Sequence, residues 1–362
     1  MSQPQKKFAK LRQWNRRRNY YFKALRMRLA KLFLDYRTCQ PLTLDAVKKV
    51  LLLRDDGKIG DMVVSTSLLR EFNVRGYIID VLATPENFPI IENNPYIRKI
   101  FINNSKGINK QLSQEKYGVV IDMGDKISPK SLYFLRAIKA NNVIGFNKNE
   151  YKIYNKSIPF QGYNEHISKR YSLLMTELGF KNYSIDYELH ICDHINEKVS
   201  EYLKSLPGKY NLVINPFTAS KERDLEEGQL QNLVNELHKK LPDINIILIG
   251  LPERIANMNI EKTFVNPYMS IQGAMSLIYQ CDLVISPDTS VVHIAAIWKK
   301  PLVALYGNDT HGMFNNNDVW GPGYSNAIQI TTIDKYHSVS TIPITEILKA
   351  VDILFIRRGQ YV

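Results

Sequence analysis

Cysteine is scarce in this chain. Its 362 residues include three, Cys39, Cys192 and Cys281, scattered at no metal-ligand spacing. That usage fits reduced thiols and argues against a disulfide framework or a zinc site. Long apolar runs are absent as well: none approaches the ~18 consecutive apolar residues of a membrane-spanning helix. The chain opens MSQPQKKFAKLRQWNRRR, without the short apolar core of a secretory leader, so a cytoplasmic protein is expected. No short-period repeat or low-complexity segment occurs. Acids are missing from one region in particular. Residues 1–40 hold twelve Lys or Arg against one acid, Asp35, and carry +11 of the net +13. The remaining 322 residues are nearly neutral, so the basic character belongs to a tail and not to the folded body.

The tail has a clear period. Leu11, Trp14, Tyr21, Leu25, Leu29, Leu32 and Phe33 recur at three- and four-residue steps, with Arg12, Arg16, Arg17, Lys23, Arg26 and Lys31 between them. This is the pattern of an amphipathic helix. A basic face beside an aromatic and leucine face suits an anionic membrane interface, with Trp14, Arg16, Arg17, Arg18, Leu25 and Phe33 as contact residues. The competing readings are a helix packed on the protein's own surface and a nucleic-acid arm. The tail contains no recognisable nucleic-acid module, so no nucleic-acid partner is expected.

With 44% hydrophobic and 23% charged residues the rest is ordinary globular protein, and its length exceeds what one core usually serves. Apolar runs predict strands at 50–54, 77–83, 97–102, 117–122 and 142–146, then at 210–216, 244–250, 282–287 and 301–307. Helical stretches separate them, among them 62–72, 165–178 and 226–239. Nearly continuous apolar strands alternating with helices read as two series of βα repeats around parallel sheets. The expected division is an extension at 1–45, an α/β domain at 46–180, a second at 181–345, and a C-terminal helix at 346–362 that can return to the first domain. A ligand would sit in the cleft between two such halves.

Three segments carry polar groups where a strand meets a helix. In Val50-Leu-Leu-Leu-Arg-Asp-Asp-Gly-Lys-Ile-Gly-Asp61, Gly57 and Gly60 allow a sharp turn and Asp61 lands at the start of a helix. Asp61 there either faces a ligand or caps free N–H groups and suits the helix dipole. The turn matches neither GxGxxG nor a P-loop, which leaves NAD and ATP unsupported. In Asp288-Thr-Ser-Val-Val-His293, a polar trio opens a helix with His293 one turn on, as a diphosphate site or as an N-cap, Asp288, before a buried histidine. In Asn215-Pro-Phe-Thr-Ala-Ser-Lys-Glu-Arg-Asp224, Thr218, Ser220, Lys221 and Arg223 offer hydroxyls and cations that could hold a diphosphate without metal, or are solvated loop charges. Asp55-Asp56 is not a DxD following a strand, and no metal site is expected.

Together these segments resemble glycosyltransferase family nine. The turn ending Ile-Gly-Asp before MVVSTSLLREF is similar to its N-terminal signature. Asp-Thr-Ser-Val-Val-His-Ile-Ala-Ala before Pro-Leu-Val-Ala-Leu-Tyr-Gly resembles its C-terminal one, and HISKRYSLLMTELGF its inter-domain stretch. The likeness spans about 45–350 and omits the tail. It implies a GT-B fold, two Rossmann-like domains facing across a cleft, and an inverting, metal-independent heptosyltransferase. Such an enzyme moves heptose from ADP-heptose, a substrate and not a cofactor, to a lipid-linked lipopolysaccharide core at the inner face of the inner membrane. It implies Asp61 as general base, and Thr218, Ser220, Lys221, Arg223, Asp288, Thr289, Ser290 and His293 around the donor, with Glu253 as the acid facing the nucleoside. Arg223 before Asp224-Leu225 stands where the family has Lys before Trp. Ser290 replaces its usual Gly, and the stretch from Arg54 to Asp61 is one residue longer. These departures bear on which sugar is recognised. The alternatives are another sugar nucleotide for core or capsule polysaccharide, and a non-catalytic two-lobed binding protein.

Overall fold

A computed structural model describes residues 4–36, 41–42, 48–104, 106–162, 165–308, 310–311, 314–334 and 338–359. Cys39, most of the connector at 40–45, the side chains of Leu11 and Arg12, and residues 360–362 lie outside that description. The helices are α1 (Pro4–Leu34), α2 (Ile59–Val74), α3 (Ile108–Gln114), α4 (Pro129–Ile138), α5 (Ser168–Glu177), α6 (Asp193–Ser205), α7 (Glu227–Lys240), α8 (Pro252–Ile255), α9 (Ile271–Gln280), α10 (Ser290–Ile297), α11 (Asn316–Val319) and α12 (Ile344–Gly359).

Two six-stranded parallel sheets hold them. The first is built from β1 (Lys49–Leu53), β2 (Ile78–Ala83), β3 (Ile97–Ile102), β4 (Val119–Asp122), β5 (Asn142–Phe146) and β6 (Lys156–Ile158), in the order β3-β2-β1-β4-β5-β6. The second uses β7 (Tyr210–Ile214), β8 (Ile244–Leu248), β9 (Phe264–Val265), β10 (Leu283–Pro287), β11 (Leu302–Tyr306) and β14 (Ala327–Thr331), in the order β14-β11-β10-β7-β8-β9. A small antiparallel pair, β12 (Thr310–His311) and β13 (Phe314–Asn315), stands apart. Numbered within itself, each six-stranded sheet runs 3-2-1-4-5-6, the doubly wound arrangement in which ligands gather where the strand order reverses. In the first sheet that point lies between β1 and β4, paired Val50 to Val119. In the second it lies between β7 and β10, paired Leu212 to Leu283. The α/β, GT-B-type expectation of two Rossmann-like sheets is met.

Each sheet has its own core. Leu51, Leu53, Val120, Leu135 and Val143 pack in one, and Ile214, Leu233, Ile246, Ile285 and Val303 in the other, all at most 5% exposed. Each such side chain contributes about 1.5–3 kcal/mol of burial. The nine expected strands are all present, while β6, β9, β14 and the small pair β12 and β13 were not anticipated. The described side chains of the C-terminal helix pack on the second sheet: Ile347, Ala350, Val351 and Leu354 of α12 belong to its core. Their i, i+3, i+4, i+7 spacing makes one apolar stripe, and the second sheet's outer strands offer it a surface.

The chain forms two compact units that interleave along the sequence. One comprises Met1–Asp56, Phe72–Thr84 and Ile97–Phe160, the other Gly57–Glu71, Pro85–Tyr96 and Gln161–Val362. The turn with Gly57 and Gly60 and the first turns of α2 therefore pack within the unit of the second sheet. No described helix is long and apolar enough to cross a membrane.

Candidate functional site

The second unit contains a cavity of about 570 Å³ at the carboxyl ends of β7, β8 and β10. It is lined by the turn at 57–60, by Asn215 and 217–219 after β7, by 249–252 with Arg254 and Ile255 after β8, by Met269 and Ile271, and by 288–291 after β10. The volume lies in the range of small-molecule sites.

Asn215 ties the switch point together. Buried at the end of β7, its Nδ2 donates to Thr289 Oγ1 at 3.1 Å, to Ser286 Oγ at 3.2 Å and to the Phe217 carbonyl at 3.0 Å. Thr289, not Asp288 as one reading had it, is the N-cap of α10: its backbone is extended and its Oγ1 accepts from Val291 N at 3.2 Å. Asp288 instead accepts from Arg223 at 3.3 Å and from Asn316, so it holds the loop after β7 against the end of β10. Thr289, Ser290 and the α10 N-terminus present hydroxyls and a positive dipole end to the cavity, a setting that suits an anion.

Gly57 has φ +72°, which favours glycine, and turns the chain into α2. A Cβ on Gly60 would lie 3.3 Å from His293 Cδ2 and 3.7 Å from Ser290 Cα, so glycine lets the first turn of α2 approach the first turn of α10. Asp61 is the third residue of α2. It is 7% exposed and paired with Lys58 Nζ at 3.6 Å, and Lys58 lines the cavity. His293 is buried with its ring edge-on to Trp320 at 5.7 Å and to Tyr187 at 6.3 Å. Burial first, then nearby His166, push its pKa down to about 4, against the pull of Asp61. It is therefore neutral at pH 7 and backs the turn without lining the cavity.

Thr218 is buried, its backbone N–H donating to Asp224 Oδ1 at 2.7 Å and its hydroxyl to the Ser220 carbonyl at 2.6 Å. Asp224 is also the partner of Arg254, whose NH1 donates to the Thr218 carbonyl at 2.8 Å. The Arg254 guanidinium lies 4.1 Å from the centre of the Phe217 ring. Beneath that ring is Gly250, where a Cβ would come within 2.5 Å of Phe217 Cδ2. Lys221 is exposed, and neither it, Ser220 nor Arg223 lines the cavity. Glu253 stands on the exposed side of α8, and its neighbour Arg254 faces the cavity in its place. Sequence reasoning missed Lys58, Asn215, Phe217 and Arg254. Asn215 and Phe217 sat inside a segment already singled out, but Arg254 gave no signal beyond following Glu253. The arrangement can hold an anionic, partly planar ligand between a helix N-terminus and two basic side chains.

The first sheet's switch point differs. Arg54, 1% exposed, pairs with Asp56 at 3.3 Å and donates to the Met123 carbonyl at 3.3 Å. Asp122 accepts from Tyr154 and from Gly124 N. The nearly buried Lys148 ammonium donates to the Asp125 carbonyl at 2.9 Å. Among the described residues no group of three or more His, Cys, Asp or Glu side chains could hold a metal ion.

Residues 106–341 match glycosyltransferase family 9 (heptosyltransferase). The chain is 28% identical over 298 residues to the provisionally named lipopolysaccharide heptosyltransferase 4 of Escherichia coli K12, covering 79% of this chain and 82% of that one. It superposes on the E. coli ADP-heptose LPS heptosyltransferase II with a TM-score of 0.69 at 17% identity, over 86% of this chain and 99% of that one. With the E. coli heptosyltransferase WaaC bound to ADP the TM-score is 0.63 at 17% identity, over 84% and 97%.

Proposed function

Because this chain belongs to glycosyltransferase family 9, the heptosyltransferases, we propose that it transfers heptose from ADP-heptose to the inner core of lipopolysaccharide or lipooligosaccharide. The observation that carries the donor half of this reading is the cavity at the second switch point, where the α10 N-terminus, Thr289 and Ser290 stand with Lys58 and Arg254. In this mechanism Asp61 takes the proton of an acceptor hydroxyl as that oxygen attacks the anomeric carbon. The bond from that carbon to the diphosphate oxygen breaks, its electron pair leaves with ADP, and the configuration inverts. One base and a stabilised leaving group suffice. The α10 N-terminus, the hydroxyls of Thr289 and Ser290, and the cavity-lining cations Lys58 and Arg254 stabilise the leaving diphosphate without a metal ion. A lipid-linked acceptor makes this a cytoplasmic enzyme, peripheral on the inner face of the inner membrane.

The test is to incubate the purified protein with a panel of sugar nucleotides and a heptose-deficient lipooligosaccharide, following nucleoside diphosphate release and the mass of the acceptor. ADP release from ADP-heptose, with gain of one heptose, is the expected result. Transfer from a different sugar nucleotide alone would move the reading to another core or capsule sugar.

A further inference from the structure

Among its described side chains helix α1 has two apolar faces on opposite sides, and the fold covers one of them. Towards its C-terminal end Met27, Ala30 and Leu34 pack against the core of the first unit. Lys31 lies 4.7 Å from the centre of the Tyr151 ring, and Asp35, just past the helix, accepts from Ile153 N at 2.8 Å. This docked face is narrow. Two residues out of phase, about 200° round the helix, Trp14, Tyr21, Leu25, Leu29 and Leu32 follow at steps of seven, four, four and three. Phe22 and Phe33 stand beside them, and all seven are 47–72% exposed. At 100° per residue, Arg26 borders this stripe on one side and Arg17 and Arg28 on the other, all exposed. Arg18 lies within it, its guanidinium 4.8 Å from the centre of the Trp14 ring. The helix has eleven Lys or Arg and no Asp or Glu.

We propose that this outward stripe of α1 is a docking surface for an anionic phospholipid bilayer, into whose interface Trp14, Leu25, Leu29, Leu32 and Phe33 insert while the bordering arginines meet lipid phosphates. A nucleic acid would use the arginines and leave the leucines in water. A second copy of the helix would set Arg18 and Arg28 against its own arginines with no acid to offset them. A bilayer satisfies both features, apolar side chains at the acyl boundary and basic side chains that reach up to the headgroups. The docked face joins the helix to the first unit, so binding would hold that unit close to the lipid surface. The inference rests on the proposed lipid-linked acceptor only for its purpose, since bilayer binding is measured without any sugar.

The experiment is sedimentation of the full-length protein with vesicles of phosphatidylglycerol and phosphatidylethanolamine, compared with phosphatidylcholine alone, at low and high salt. Wild type should sediment with the anionic vesicles, less so at high salt. Leu25→Glu with Leu32→Glu should lower partitioning about tenfold or more. Arg17→Gln with Arg26→Gln and Arg28→Gln should remove most of the salt dependence. All these positions lie away from the docked face, so the melting temperature and glycosyl transfer to a soluble acceptor should stay at wild-type values. In wild type, but not in Trp14→Phe, the tryptophan emission should shift to the blue on vesicle addition and be quenched by brominated lipid. Absence of wild-type sedimentation, or equal sedimentation of the leucine variant, would overturn the proposal. So would a dimer that the leucine variant dissociates, which would assign the stripe to a second copy.

Discussion

The two sheets share one strand order and present different chemistry at the same topological point. After β1 and β4 the chain places acids, Asp55, Asp56 and Asp122, beside Arg54 and Tyr154. After β7 and β10 it places Asn215, Thr218, Thr289 and Ser290 with Arg223 and Arg254 near them. Strand order follows from buried βα repeats, which both halves contain. Chemistry follows from the loops, which are free to differ once the strands are buried. The comparison teaches that the doubled architecture fixes where a site can lie, while the loops decide which charge it accepts.

Substitutions can break this comparison. The largest expected effect is at Asp61, the acid that the chain places beside Lys58 at the cavity. Asp61→Asn should lower transfer by about 10²–10⁴-fold, the usual share of general-base catalysis, with ADP affinity little changed. Steady-state rates and calorimetric ADP binding measure the two separately, and near-normal turnover would reduce Asp61 to a residue of the helix dipole. Next comes the cation side. Arg254→Met should weaken ADP binding about 10–100-fold, as expected for lost charge-assisted hydrogen bonds, whereas Asp122→Asn should leave it unchanged. A loss with Asp122→Asn and none with Arg254→Met would reverse the assignment of the two switch points.

A smaller effect concerns pH. The buried His293, with its pKa lowered to about 4, binds fewer protons folded than unfolded between there and the unfolded value near ~6.5. Its stability contribution is thus complete above the unfolded value and is lost as pH falls towards 4. His293→Gln should flatten the fall of melting temperature between pH 7 and 5, and an unchanged slope would mean that other groups cause it. The smallest expected effect is that of EDTA, in which transfer should persist because side chains and a helix end take the role of a cation. Loss of transfer restored by magnesium would bring a metal into the donor site.

Much of the fold was legible because buried parallel strands are nearly continuous apolar runs, such as INIIL of β8. The missed strands are short or half-exposed: β6 has three residues, β9, β12 and β13 two each, and β14 a mixed burial pattern. The residues of the candidate site were legible as segments but not always as side chains. Glu253 and Arg254 are adjacent on a single turn, where 100° of rotation decides which one faces inward, and sequence carries no record of that angle. The same limit hid the second face of α1: the period read from the sequence runs through Leu25, Leu29, Leu32 and Phe33 and leaves out Met27, Ala30 and Leu34, which pack on the first core.

Gly250 has a consequence for the width of the donor cavity. Phe217 packs close to its bare Cα, and the Arg254 guanidinium lies over the Phe217 ring, so the stack occupies the space that a methyl group at 250 would take. Alanine at 250 would act as a shim under that stack, displacing the ring and with it the cation that the ring carries.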